Sequence, residues 1–292
     1  MPMCLTRILC LFALYAAFAS PVQAALSFAE VRAAWTESDA WLLARDGQPL
    51  HSLRVDLRQR RLPWTRLEDI SPALLRALLA SEDRRFYEHA GVDWGAAAVS
   101  AWRNLWNTKT RGASTLTMQL VGLLDEFADE NARRKGRRSV PQKLSQAAGA
   151  LWLEQRWKKD EILEAYLNLA SFRGELVGVA AMSRGLFGKW PDGLDAREAA
   201  LAAALLRAPG ASPQVVAQRA CGVWQVTAQM QKSAAPDCGG LEGLARLALA
   251  GGLRDVEGGW LGAEQSPALA PHLAQKLLKQ PGERLRSTLD AD

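Results

Sequence analysis

The chain has 292 residues, enough for one large domain or two small ones, and 49% of them are apolar against 23% charged. That balance excludes global disorder and admits a packed core. The net charge of +5 and a pI of about 9.2 favour anionic partners. Paired zinc ligands and aromatic ribonucleoprotein motifs are missing, so anionic lipid or a phosphorylated substrate is expected and nucleic acid is not.

The first 24 residues read as an export segment. Arg7 supplies a thin positive start, Ile8 to Ala19 is an unbroken apolar or small run, and Val22-Gln23-Ala24 offers the small residues a signal peptidase reads. Cleavage after Ala24 and retention as a membrane anchor both fit. The run is short for a span of about 20 residues. Either way the remainder is exported. Cys4 and Cys10 lie inside this segment, which leaves Cys221 and Cys238 for an oxidising compartment. Two such cysteines read as one disulfide closing about 18 residues, worth about 2–4 kcal/mol. The three histidines, His51, His89 and His272, are far apart and no Cys-x-x-Cys occurs, so no metal-ligand spacing is present.

In chain order, Ser27 to Asp39 suits a short helix. Trp41 to Ala44 and Leu50 to Val55, joined through Asp46-Gly47, read as a small β-hairpin. The basic run Arg58 to Arg61 reads as a solvated linker, with contact to anionic lipid as the functional alternative. Ser71 can cap a helix that Pro72 opens, with Leu74, Leu75, Leu78 and Leu79 on its apolar face. The helix is expected to end near Glu82.

Residues 82–89 then crowd together three carboxylates (Glu82, Asp83, Glu88), two guanidiniums (Arg84, Arg85) and the imidazole of His89, interleaved with Phe86 and Tyr87. Charge mixed with aromatics between two apolar helices suggests a cleft lining, although a surface salt-bridge cluster fits the same residues. Glu82 at a helix C-terminus meets the negative end of the helix dipole, and partial burial beside the aromatic rings acts in the same direction; both suit a general base. Asp83 is a candidate to hold Arg84, and His89 to pack and hydrogen-bond.

Ala96 to Trp106 continues as a helix, followed by a polar basic loop, Asn107 to Gly112. Ser114, Thr115, Thr117 and Gln119 sit on a turn entering the next helix. Such a turn can cradle a phosphate on backbone N–H groups; an ordinary Ser/Thr cap is equally natural. Arg133 to Arg138 carries five positive charges in six positions, either a solvated loop or a surface for lipid headgroups or a diphosphate. Ser139 to Gln142 resembles a capping box. The helix beyond has Leu144, Ala147, Ala148, Leu151 and Trp152 as its expected apolar face. In Lys159 to Asn168, Ile162, Leu163, Tyr166 and Leu167 are expected to face inward, with Glu161 able to orient a cation. Asp195 and Glu198 should cap a helix that stops at Pro209-Gly210.

Four of these stretches resemble the motifs of the family 51 glycosyltransferases, which polymerise peptidoglycan from lipid II. Glu82, Asp83, Arg84, Phe86, His89 and Gly91 match Glu-Asp-Arg-x-Phe-x-x-His-x-Gly. Gly112 to Gln119 matches Gly-Gly-Ser-Thr-x-Thr-x-Gln, with Ala113 in the second position. Lys143 matches the Lys of Arg-Lys-x-x-x-Glu, while Gln142 replaces the Arg and Gln146 the Glu. Glu161 to Asn168 matches Glu-Ile-Leu-x-x-Tyr-Leu-Asn. Gly122 and Leu123 stand where many members have Lys and Asn. These departures resemble the penicillin-binding protein 1C branch, and Gln146 cannot ionise.

The resemblance implies a mainly α, lysozyme-like helical domain with a small N-terminal β-hairpin. It divides the chain into residues 1–24 (signal or anchor), 25–70 (the hairpin segment), 71–215 (the transferase domain) and 216–292, an extension that ends where relatives enter a transpeptidase domain. It implies that Glu82 deprotonates the sugar 4-hydroxyl, which attacks the anomeric carbon of the growing chain with inversion as undecaprenyl diphosphate leaves. Asp83, Arg84, Phe86, His89, Ser114, Thr115, Gln119, Lys143 and Gln146 would bind substrate. The implied partners are lipid II, the glycan chain, the membrane and a separate transpeptidase, at the periplasmic face of the inner membrane. No cofactor is implied, and a divalent cation stays open. A muramidase, or a lipid II-binding scaffold without turnover, fits the same residues less well.

Overall fold

The computed structural model describes residues 26–96, 98–99, 114–128, 140–250 and 269–290, with the side chains of 140–142 left aside. The expected export segment, the loop 107–112, the basic run 133–138 and the capping Ser139 lie outside them. The described chain is mainly α, as expected. No helix among the described residues is long and apolar enough to cross a membrane. Two compact units form: residues up to 33 with 82–169, and residues 34–81 with 170–290.

The second unit contains two small sheets. In the first, β1 (Asp39–Leu43) and β2 (Pro49–Arg54) make the expected antiparallel hairpin, with Ala40 opposite Leu53. Its turn follows from Asp46-Gly47. The Asp46 carboxylate accepts the Gln48 amide at 2.9 Å, and Gly47 takes φ +93°, open to glycine at no steric cost. β1 also pairs in parallel with β6 (Arg284–Arg286), so the hairpin segment and the far end of the chain share a sheet. Leu42 and Leu50 of this sheet pack with Ala274 of α10 (Pro271–Leu277).

The second sheet orders β3 (Arg60–Arg61), β5 (Leu176–Val177) and β4 (Ser171–Arg173). It corrects the reading of Arg58 to Arg61 as a linker. Arg58 is exposed, but Arg60 is only 2% exposed and ion-paired with Asp39. Arg54 adds a bidentate pair with Glu175, whose backbone carbonyl accepts the Arg60 amide at 2.7 Å. A guanidinium this far from water is tolerated only when paired and hydrogen-bonded.

α2 (Pro72–Glu82) begins as expected: the Ser71 hydroxyl accepts the Ala73 amide at 3.2 Å and donates to the Leu194 carbonyl at 2.7 Å. α6 (Val179–Phe187) precedes α7 (Ala196–Arg207), which opens on the expected capping box, with Asp195 accepting the Arg197 and Glu198 amides. Small residues Ala200 and Ala204 of α7 let α8 (Pro213–Met230) and α9 (Leu241–Ala250) pack closely through Val216, Ala220, Leu241 and Ala245. The expected Cys221–Cys238 disulfide ties α8 to the entry of α9.

The first unit holds α1 (Phe28–Ala33), α3 (Leu116–Ala128), α4 (Val140–Leu153) and α5 (Lys159–Leu169); α3 packs on both α4 and α5. α5 buries Ile162, Leu163, Tyr166 and Leu167 as its spacing predicts. The face of α4 differs from the one expected. Gln146, Ala150 and Leu153 are buried, whereas Leu144 is 56% exposed and Ala148 is exposed. Close approach decides this: a Cβ on Gly149 would stand 2.9 Å from a Val121 methyl of α3, so the glycine side of α4 is turned inward.

The Arg60–Asp39 pair gives the first prediction. Asp39→Ala leaves a buried guanidinium without its carboxylate and should cost about 3–5 kcal/mol of stability, read by urea denaturation, while a change at exposed Arg58 should cost under about 0.5 kcal/mol.

Candidate active site

Glu82 is the last residue of α2 and half-buried. The amide of Gln119, in the first turns of α3, donates to its Oε2 at 3.3 Å. Gln119 is itself oriented from α5: the Tyr166 hydroxyl donates to its Oε1 at 3.1 Å. A phenol, an amide and a carboxylate thus stand in a directed chain, each donor aimed toward Glu82. Tyr166 was expected as core alone. Its ring is buried, but a buried hydroxyl must find a partner, and that requirement is the signal the aliphatic spacing hides.

Asp83, one residue on, is buried and serves the backbone. Its Oδ2 accepts the Leu116 amide at 3.0 Å, across 33 residues, and both oxygens lie 3.0–3.1 Å from His89 Nε2. Asp83, read from the sequence as a candidate to hold Arg84, has the Leu116 amide and His89 as partners here, and Arg84 is exposed. His89 packs and hydrogen-bonds as anticipated. Phe86 is fully buried and meets His89 and Tyr87 edge-on.

At residues 114–119, where the sequence admits a phosphate cradle or an ordinary Ser/Thr cap, the contacts form a cap. The Thr115 hydroxyl accepts the Met118 amide at 3.2 Å and donates to the Gly91 carbonyl at 2.6 Å, so Thr115 is a buried helix cap. With Leu116 bonded to Asp83 and Met118 to Thr115, these two amides of the helix start are already satisfied internally. Gly91 completes the joint with φ +88°; a Cβ there would lie 2.6 Å from the Ala150 carbonyl oxygen of α4, so only glycine fits.

Gln146, expected at the substrate, is 3% exposed on the buried face of α4. Lys143 is exposed on the same helix and Ser114 is half-buried just before the Thr115 cap. Glu161, expected to orient a cation, instead accepts the Lys158 amide at 2.7 Å at the start of α5. Arg85 makes a bidentate pair with Asp93, which also accepts the Ala96 amide at 2.8 Å. Burial would raise the Asp93 carboxyl, but the Ala96 amide and the Arg85 guanidinium together hold it below its ordinary value.

The structure therefore brings Glu82, Asp83, Phe86, His89, Thr115 and Gln119 into one connected group. Of these, Glu82 and Gln119 keep exposed surface, while Asp83, Phe86, His89 and Thr115 are positioning groups. Arg84 and Lys143 are cations open to solvent.

Two predictions follow from the geometry. Asp83→Ala orphans the buried Leu116 amide and the His89 ring, and should lower stability by about 1–3 kcal/mol in denaturant titration. Partial desolvation of the Tyr87 hydroxyl, followed by the charge and hydrogen bond of Asp160 3.1 Å away, pushes that phenol up to about 12. Asp160→Asn removes a negative charge that opposes ionisation, so alkaline absorbance titration should find Tyr87 ionising at lower pH.

A family model described as Transglycosylase matches residues 46–231. Penicillin-binding protein 1C of Escherichia coli (strain K12) is 33% identical over 282 residues, covering 92% of this chain and 34% of that protein. The biosynthetic peptidoglycan transglycosylase of Rhodospirillum centenum is 38% identical over 170 residues, 56% of this chain and 68% of its own. The protein of the same name from Haemophilus influenzae (strain Rd) is 40% identical over 159 residues, 54% and 61%. The chain thus spans about a third of the first relative and roughly two thirds of the other two.

Proposed function

Because this chain belongs to the transglycosylase family, whose model covers residues 46–231, we propose that it is a peptidoglycan glycosyltransferase joining the disaccharide units of lipid II into glycan strands. The observation that carries the reading is the Tyr166–Gln119–Glu82 chain, in which three separate motifs converge on one half-buried carboxylate.

Glu82 accepts the proton of the acceptor sugar's 4-hydroxyl, and Gln119 holds one carboxylate oxygen so that the base stays fixed while the proton moves. The freed oxygen attacks the anomeric carbon of the lipid-linked chain from the face opposite the diphosphate; the new glycosidic bond forms with inversion as the carbon–oxygen bond to undecaprenyl diphosphate breaks. Charge builds on the departing diphosphate, and the exposed cations Arg84 and Lys143 are the groups suited to meet it electrostatically. Ser114 contributes a hydroxyl just before the Thr115 cap. The reaction belongs to the exported face of a membrane, which the Cys221–Cys238 disulfide also favours. A separate transpeptidase would cross-link the product.

The test is incubation of the purified protein with labelled lipid II and sizing of the products. Lipid-linked strands should lengthen. Glu82→Gln should lower the rate at least about 10²-fold, the scale of a lost general base, with its unfolding midpoint within a few degrees of wild type. Shortening of isolated sacculi in place of strand growth would indicate a muramidase and overturn the reading.

A further inference from the structure

We infer that Lys159 and Glu154 form a positioning clasp that sets the Glu82–Gln119 pair from both sides at once; the inference deepens the glycosyltransferase reading above and rests on it. The two residues form an ion pair at 2.8 Å in which Glu154 is 6% and Lys159 22% exposed.

The first arm of the clasp runs through Lys159. Its ammonium donates to the His89 backbone carbonyl at 2.6 Å and lies 4.4 Å from the centre of the Phe86 ring. It thereby grips both ends of the turn Phe86–His89, whose His89 ring bonds Asp83, the residue next to Glu82. The second arm runs through Glu154. Its Oε1 accepts the Thr117 hydroxyl at 2.6 Å, and Thr117 lies two residues before Gln119 on α3. Carboxylate and donor of the candidate catalytic pair are thus tied to opposite ends of one partly buried ion pair.

Lys159 is poorly placed for any purpose of its own helix. It is the first residue of α5, where the positive end of the helix dipole disfavours a cation. The helix start is already served by Glu161, which accepts the Lys158 amide. Burying the Lys159–Glu154 pair also carries a desolvation cost, repaid only by good geometry and additional hydrogen bonds. Those bonds go to His89 and Thr117, on the two segments that carry Glu82 and Gln119. Catalysis by a positioned base falls steeply with misplacement of about 1 Å, so the clasp should act on turnover more than on binding.

The test uses the full chain with Lys159→Met, which keeps the apolar stem and removes the charge, and Lys159→Arg as the conservative variant. Labelled lipid II gives kcat and KM, and amide hydrogen exchange reads residues 84–90. Lys159→Met should lower kcat about tenfold or more, leave KM within about twofold, and speed exchange in 84–90 while Ala199–Leu205 stays protected. Lys159→Arg should recover part of the loss. In a Glu82→Gln background, Lys159→Met should bring no further loss, because the clasp acts only through that carboxylate. Wild-type kcat, unchanged exchange in 84–90, or a full additional loss in the double variant would each overturn the clasp. If Lys159→Met does not fold, Thr117→Val cuts the second arm alone and should lower kcat about threefold; an unchanged kcat there overturns the clasp equally. Should the wild-type protein fail to extend lipid II, the glycosyltransferase reading falls, and the exchange of 84–90 by itself decides the clasp.

Discussion

The interaction on which the site depends is the capture of the Leu116 amide by Asp83. A carboxylate taken out of water must recover its lost hydration from fixed donors. Asp83 recovers it from one backbone N–H and one imidazole, 33 and 6 residues away. Each donor can be reached only if the turn after α2 and the start of α3 hold one relative position. That position in turn sets Glu82, the neighbour of Asp83, opposite Gln119, three residues past Leu116. The acid that is buried thus locates the acid that keeps exposed surface.

The joint closes because two further elements agree with it. Thr115 satisfies the Met118 amide and at the same time bonds the Gly91 carbonyl, so the cap of α3 is also a strap across the turn. Gly91 lets that strap approach α4 to a distance no side chain permits. The α3 start and the 86–91 turn are thereby stitched by the Thr115 hydroxyl, and Gly91 lies directly against the α4 backbone. A carboxylate–amide pair held in this way has little freedom to drift.

What the sequence made legible was local. Ser71-Pro72, the Asp195/Glu198 box and Asp46-Gly47 act over two or three residues, and the structure follows them. Cys221 and Cys238 were legible by elimination, since the other two cysteines fall in the stretch that reads as an export segment. Arg60 was misread because its partner, Asp39, is 21 residues away and a charge run looks solvated until its carboxylate is known. The face of α4 was misread for a related reason: hydrophobic spacing favoured Leu144 and Leu151, whereas the close approach permitted by Gly149 turned Gln146 inward. Thr115 and Gln119 were correctly singled out, but their chemistry depends on Asp83, Gly91 and Tyr166, contacts that local spacing leaves unstated.

The departures from the family pattern at positions 122 and 146 belong together physically. Gly122 is buried on α3 and Gln146 on α4, and these two helices pack closely enough that Gly149 has no room for a Cβ against Val121. A lysine at 122 or a glutamate at 146 would bury a charge, at a cost of several kcal/mol unless paired. A neutral residue at each of these buried positions avoids that cost. Lys143, one turn before Gln146, lies instead on the exposed side of α4, where a charge keeps its hydration.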